Sequence, residues 1–276
     1  MTKSESSSRI VTSVVAVISA AALAVSLIAA GFAACAVPDV STKALASVYS
    51  TDGASPFTKD ELVAAAVQTK HYTIDDNDKA AVYATIAAIN AQEALAGTAG
   101  KGAPKIDATA NYATGELSGE QVAALETAFD AASERYVLTP DAVSHLDDVF
   151  GVVQAAKWWL LAAVVAACVG CTATAFRGGK RLLGRVLAGA GVFVLAVFAL
   201  LAAWVAIDFD GFFAQFHSLF FAAGTWTFSW DSLLICMYPP EFWVGMGAIW
   251  LVVTVACCVV CITIGRLLRK GSTQKR

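Results

Sequence analysis

A chain of 276 residues that is 58% hydrophobic and only 15% charged lies well outside the composition of soluble domains and reads as an integral membrane protein. The net charge of −3 is uninformative as a sum, and the chain has no basic surface suited to nucleic acid. Internal repeats, Walker loops, dinucleotide fingerprints and HExxH zinc motifs are missing from the sequence, which removes several common enzyme classes.

Four apolar windows exceed the roughly 18 residues needed to cross a bilayer core. They are 10–36, 152–176, 186–207 and 242–265. The first follows Lys3 and Arg9 and ends at Ala34-Cys35-Ala36, which resembles a cleavage site. Its apolar core is much longer than the roughly 7–15 residues of a signal sequence, and Phe32 stands where a lipoprotein box carries Leu. An uncleaved anchor is expected.

The segment 37–151 is polar and alanine-rich and reads as helices joined by loops. Thr58 before Lys59-Asp60-Glu61 opens a helix to about Gln68, and a second runs from about Asp78 to Leu95. The stretch 97–115 carries four glycines and Pro104 and reads as a flexible loop. Ser118-Gly119-Glu120-Gln121 forms a capping box for a helix to about Arg135. Thr139-Pro140-Asp141 supplies a cap, a first-turn proline and a first-turn acid for a helix that holds His145. With no proline between Pro140 and Phe176, that helix is expected to continue into the second span.

Basic residues cluster at Lys3 and Arg9, at Arg177, Lys180, Arg181 and Arg185, and at Arg266, Arg269, Lys270, Lys275 and Arg276. Only Glu5 among the acids joins them. The positive-inside rule therefore orients the chain. Residues 1–9 are cytoplasmic, 10–36 the first span, 37–151 an extracytoplasmic helical segment and 152–176 the second span. A basic cytoplasmic loop (177–185), a third span (186–207), an aromatic extracytoplasmic re-entrant or interfacial loop (208–241), a fourth span (242–265) and a cytoplasmic tail (266–276) complete the chain. The expected fold is an all-α integral membrane protein with four transmembrane helices and a helical extracytoplasmic segment between the first two.

Seven cysteines form no disulfide framework, because none lies in the soluble outer segment. The pairs Cys168/Cys171 and Cys258/Cys261 read as apolar packing rather than a metal site, since unligated thiolates inside hydrocarbon are unfavourable.

Chemistry concentrates in two places. His145 lies one helical turn from Asp148, which can orient its imidazole or favour its charged form. His217 sits among Phe213, Phe216, Phe220 and Phe221, where the apolar setting disfavours a charged imidazole and leaves it able to accept a proton. The plain reading of such a histidine is an interfacial packing residue with one hydrogen bond. Trp226, Phe228 and Trp230 precede Asp231, a carboxylate that needs a partner in so apolar a loop. Asp231 can orient His217, bind a substrate amine or cap the helix starting near Ser232, and the simplest reading of Glu241 is a first-turn acid of the last span.

The segments PDAVSHLDDVF and FHSLFFAAGTWTFSWDSLLICMYPPEFW, with four spans and a basic loop between the second and third, resemble the bacterial lipoprotein intramolecular transacylase (Lit) family. The resemblance rests on His145 with Asp148-Val149, then Phe216-His217, Phe220-Phe221, Trp226, Asp231, Leu234-Ile235 and Pro239 with Phe242. It covers about 140–269. The segment before His145 is longer than the family's compact one, implying an inserted helical subdomain, and Phe150 stands where a Lys often follows Asp-Val. The resemblance implies a bacterial cell-membrane enzyme that moves an ester-linked acyl chain from the diacylglyceryl group of a lipoprotein to its N-terminal cysteine amine. It further implies His145 and His217 as acid and base in either order, Asp148, Trp226, Asp231, Glu241, Phe216, Phe220 and Phe221 as supporting or substrate-binding residues, diacylglyceryl lipoproteins and membrane lipid as partners, and no metal or other cofactor. A non-catalytic lipid or lipoprotein binder, and a metal-dependent membrane hydrolase using His145, Asp148 and His217, are the competing readings.

Overall fold

The computed structural model describes residues 3–112 and 116–271. The ends of the expected cytoplasmic segments (1–2 and 272–276, with Lys275 and Arg276) and the end of the glycine-rich loop (113–115) lie outside the described residues. Regular structure among the described residues is entirely helical: α1 (Lys3–Ala36), α2 (Asp39–Tyr49), α3 (Lys59–Ile74), α4 (Lys79–Ala96), α5 (Gly119–Asp130), α6 (Pro140–Ile207), α7 (Phe209–Ser218), α8 (Leu233–Met237) and α9 (Pro240–Gly271).

Three helical segments are long and apolar enough to cross a membrane: Ser6–Ala36, Pro140–Ile207 and Pro240–Lys270. Four such segments were expected, and the difference lies in α6. Helical hydrogen bonding continues through the basic stretch 177–185, interrupted at Gly179, whose φ of +71° and ψ of 178° fall where an L side chain is strained.

The chain divides into two compact units. The first comprises the chain up to Cys35, Ala155–Phe213 and the chain from Ala248 onward. Inside a bilayer the hydrophobic effect cannot drive helices together, so close backbone approach and a few polar contacts must do so. Ser19 of α1 and Thr174 of α6 are fully buried and share a hydrogen bond between their hydroxyls at 3.3 Å. The absent Cβ of Gly170 leaves space for Ser19, and that of Gly31 leaves space for Thr254 and Trp250 of α9. The Trp250 indole Nε1 donates to the Ile28 carbonyl at 3.0 Å, and Ala24, Leu27, Val194, Phe198 and Cys258 form the core.

The second unit comprises Ala36–Gln154 and Ala214–Gly247. Local signals start its helices. Thr58 closes a capping box on α3, with its N–H donating to the Glu61 carboxylate at 2.8 Å, and Ser118 does the same for α5 through Gln121 at 2.8 Å. Asp78 caps α4, which ends at Gly97 in the left-handed conformation (φ +72°). α3 runs past the expected end near Gln68 to Ile74, because Tyr72 and Lys70 are drawn inward: the Tyr72 hydroxyl donates to Asp147, and the Lys70 Nζ pairs with Asp39 at 3.2 Å and Asp75 at 2.9 Å. α5 stops at Asp130, short of the expected Arg135, and frees Glu134 and Arg135 for other contacts.

Leu62, Tyr72, Ile86, Phe129, Val137 and Leu138 make the core of this unit together with Leu233, Met237 and Phe242. The later part of the aromatic loop is thus ordinary protein interior rather than interfacial surface. Backbone pairing holds it there: the Leu233 N–H donates to the Glu134 carbonyl at 2.7 Å, the Thr51 N–H to the Cys236 carbonyl at 3.0 Å, and the Tyr238 hydroxyl to the Ala66 carbonyl.

Candidate active site

α6 begins behind Thr139, whose hydroxyl accepts from the Ala142 N–H at 3.3 Å. Its opening turns, which hold Asp141, Asp147 and Asp148, precede the apolar part of the helix. They are amphipathic: Ala142, Val143 and Leu146 face the core of the second unit, while Ser144, Asp147 and Asp148 are exposed. Helical spacing puts residue 145 on the buried face, and His145 is only 8% exposed.

His217 occupies the last turn of α7. Its carbonyl accepts from both the Phe220 N–H (3.0 Å) and the Phe221 N–H (2.9 Å), which curls the chain back at the helix end. Gly224, at φ +88°, then turns it into an irregular segment where Trp226 and Phe228, two residues apart, follow.

The result is a pair of imidazoles inside an aromatic box. The rings of His145 and His217 lie 6.2 Å apart, inclined by 29°. Phe221 packs against both, at 4.9 Å from His145 and 5.8 Å from His217. Phe228 lies 5.7 Å from His145, and Trp226 and Phe216 lie 4.9 Å and 5.9 Å from His217. Phe216 and Phe220, themselves 5.4 Å apart, are 44% and 49% exposed and give the box an apolar rim.

Burial pushes the pKa of His145 down to about 4, the nearby charge of His217 pushes the same way, and Asp148 opposes them without prevailing. Two imidazoles this close resist carrying two protons at once. The Nδ1 atom of His145 is buried and has no hydrogen-bond partner among the described residues. A buried polar atom left this way costs about 1–3 kcal/mol and marks a position available to a ligand group.

The remaining candidates are placed differently from one another. Asp148 is exposed, and among the described residues neither a hydrogen bond nor an ion pair joins it to His145, so its influence there is a weak through-space charge. The Asp231 carboxylate pairs with the Arg135 Nε at 3.4 Å, while Ser232, not Asp231, caps α8 by accepting from the Ile235 N–H. Glu241 is an exposed first-turn acid of α9. Among the described residues no group of three or more His, Cys, Asp or Glu side chains converges to hold a metal ion.

Sequence reasoning missed Phe228 as a wall of the box, although its two-residue spacing from Trp226 in a non-helical stretch was a usable signal. It also missed Glu134 and Arg135. The Glu134 carboxylate accepts from the Ser229 hydroxyl at 2.5 Å, and Arg135 donates to the Ala54 carbonyl at 3.0 Å while it holds Asp231. Nothing local announced that role, because it depends on where the aromatic loop returns.

Fold and site together define an all-helical protein with membrane-spanning-capable helices and a paired-imidazole centre in an aromatic pocket. The chain belongs to the family described as lipoprotein intramolecular transacylase Lit, whose model matches residues 102–243, more than half of its length. Membership places it among acyltransferase-like enzymes.

Solved structures of the membrane-integral lipoprotein intramolecular transacylase Lit from Bacillus cereus share the fold. One superposes with a TM-score of 0.67 at 15% identity, covering 96% of this chain and 98% of that one. Two variants of that protein, with a histidine replaced by alanine or by arginine, superpose with a TM-score of 0.63 at 15% identity. Both cover 96% of this chain, and they themselves are covered to 96% and 95%. No curated protein matches the chain in sequence. The family match begins at residue 102, so the earlier part of the outer segment lies outside it.

Proposed function

We propose that this protein moves an ester-linked acyl chain from the diacylglyceryl group of a lipoprotein onto the α-amino group of the same molecule's N-terminal cysteine, with His145 and His217 handling the protons. The observation that carries the reading is the pair of imidazoles 6.2 Å apart in an aromatic box. Two groups at that separation can each reach about 3 Å to opposite sides of one tetrahedral carbon.

In ester aminolysis the amine nitrogen bonds to the ester carbonyl carbon, the bond from that carbon to the glycerol oxygen breaks, and one proton passes from nitrogen to the leaving oxygen. His145, whose pKa is pushed down to about 4, is neutral at ordinary pH and suited to take the proton. His217 is the partner that returns one to the departing alkoxide. Repulsion between the two rings opposes a second proton on the pair, so a proton taken by one is not held against transfer. Because amine and ester belong to one substrate, orientation in the pocket supplies much of the rate. Phe216, Phe220, Phe221 and Trp226 offer the apolar surface for acyl chains, while Asp231 through Arg135 steadies the loop that carries the box.

We further read the chain as crossing a bacterial cell membrane four times, with both termini cytoplasmic and the histidine pair extracytoplasmic. At 1.5 Å per residue a straight α6 of 68 residues would extend about 100 Å, far beyond a hydrocarbon core of about 30 Å. The non-helical backbone at Gly179, within the basic stretch, supports reading α6 as two spans.

The test is expression in a bacterial host lacking lipoprotein N-acylation, with mass spectrometry of lipoprotein N-termini. An N-acyl lyso product is expected with the wild type, and a loss of roughly 10²–10⁴-fold with His145→Ala or His217→Ala. Wild-type product levels in both variants would falsify the catalytic roles.

A further inference from the structure

Outside the histidine pocket, Arg181, Arg266, Arg269 and Lys270 of the first unit line a cavity of about 370 Å³. The positive-inside rule accounts for basic residues beside membrane spans, but it does not require them to converge on one cavity. Here the convergence has a backbone cause. A Cβ on Gly184 would lie 2.5 Å from the Gly265 carbonyl oxygen and 2.9 Å from the Arg269 Cγ, and one on Gly265 would lie 2.6 Å from the Gly184 carbonyl oxygen. A Cβ on Gly191 would likewise lie 3.0 Å from the Cys258 carbonyl oxygen. The later half of α6 and the end of α9 therefore run in backbone contact along a seam of small residues. Arg181 lies one turn before Gly184, and Arg266 and Arg269 follow Gly265 within about one turn, so this contact gathers their guanidinium groups.

Among the described residues no acid lines the cavity. Arg181, Arg266 and Lys270 form no ion pair among the described residues. The charges of Arg181, Arg266 and Lys270, held together, repel one another, and a multivalent oxyanion relieves that repulsion while accepting the planar, two-pronged hydrogen bonds of arginine.

We propose that this cradle binds a phosphate group, carried either by an anionic membrane lipid or by a soluble phosphate compound. It is separate from the histidine pocket and does not depend on the reaction proposed there. The full-length protein, purified in neutral detergent, is presented with phosphatidylcholine vesicles with and without phosphatidylglycerol, and bound lipid is read by native mass spectrometry. In parallel its thermal midpoint is followed with added inorganic phosphate. Arg181→Gln/Arg266→Gln removes two cavity charges, and Arg177→Gln/Lys180→Gln removes two neighbouring charges that do not line the cavity.

Selective retention of phosphatidylglycerol by the wild type and the second variant, reduced on the order of tenfold in the cavity variant, supports a lipid headgroup. Stabilisation by inorganic phosphate in those same two proteins, without lipid selectivity, supports a soluble phosphate ligand. Equal behaviour of all three proteins toward both probes, or equal losses in both variants, overturns the proposal. Should the double cavity variant fail to melt cooperatively, Arg266→Gln alone carries the same comparison.

Discussion

At 8% exposure and beside a second imidazole, His145 holds a proton only at low pH, and the consequences reach both stability and rate. Its pKa is about 4 in the folded protein against the ordinary imidazole value of 6.5. The unfolded chain thus takes up the proton first as pH falls. The associated stability is complete above about pH 6.5 and is lost as pH drops through 6.5 toward 4, on the order of 3 kcal/mol in all. Thermal melts of the detergent-solubilised protein are expected to show that slope, and His145→Gln should flatten it over the same interval. If His145 is the base, the acid limb of the acyl-transfer rate should fall near pH 4 rather than at the 6.5 of an unperturbed imidazole. An acid limb at 6.5 would assign the base elsewhere.

At the scale of elements, the aromatic loop divides into two parts with different jobs. The later part, α8 and the start of α9, is core: Leu233, Met237 and Phe242 are almost wholly buried. Phe242→Ala is expected to cost about 3–5 kcal/mol, visible as a large drop in the melting temperature. The earlier part carries the box and is held from outside by Glu134 and Arg135. Because the Arg135–Asp231 pair is partly exposed, Asp231→Asn should cost no more than about 1 kcal/mol in the same melts. The capping boxes of α3 and α5 were legible from Thr58 and Ser118 because their partners sit three residues away. α2 was not, since Pro38 precedes it without a side-chain cap, and its buried Ser41, Thr42 and Ala46 give no strong apolar stripe.

For the molecule as a whole, the distribution of basic residues predicts a sidedness that cysteine labelling can check. After native accessible thiols are blocked, Lys180→Cys should resist a membrane-impermeant maleimide in intact cells and react once the cells are opened. Thr98→Cys should react in both cases. Labelling of Lys180→Cys in intact cells would reverse the proposed orientation. The two compact units obey different packing rules: small residues and sparse hydrogen bonds bind the apolar helices of the first, whereas Tyr72, Phe129, Leu138 and Phe242 fill the second as in a soluble domain.

By itself the sequence determined the all-helical, membrane-type character, most helix starts, and the two histidines on which the chemistry is now proposed to rest. Those features follow from composition, periodicity and caps, which act over a few residues. Only the tertiary structure decided that His145 and His217, far apart in the chain, come within 6.2 Å, that burial drives His145 neutral, and that Phe228, Glu134 and Arg135 complete or brace the pocket. It also decided that Asp148 faces outward and that Asp231 binds an arginine. Burial and pairing of this kind are set by which distant segments meet, and a periodic pattern records which face of a helix is buried without naming what buries it.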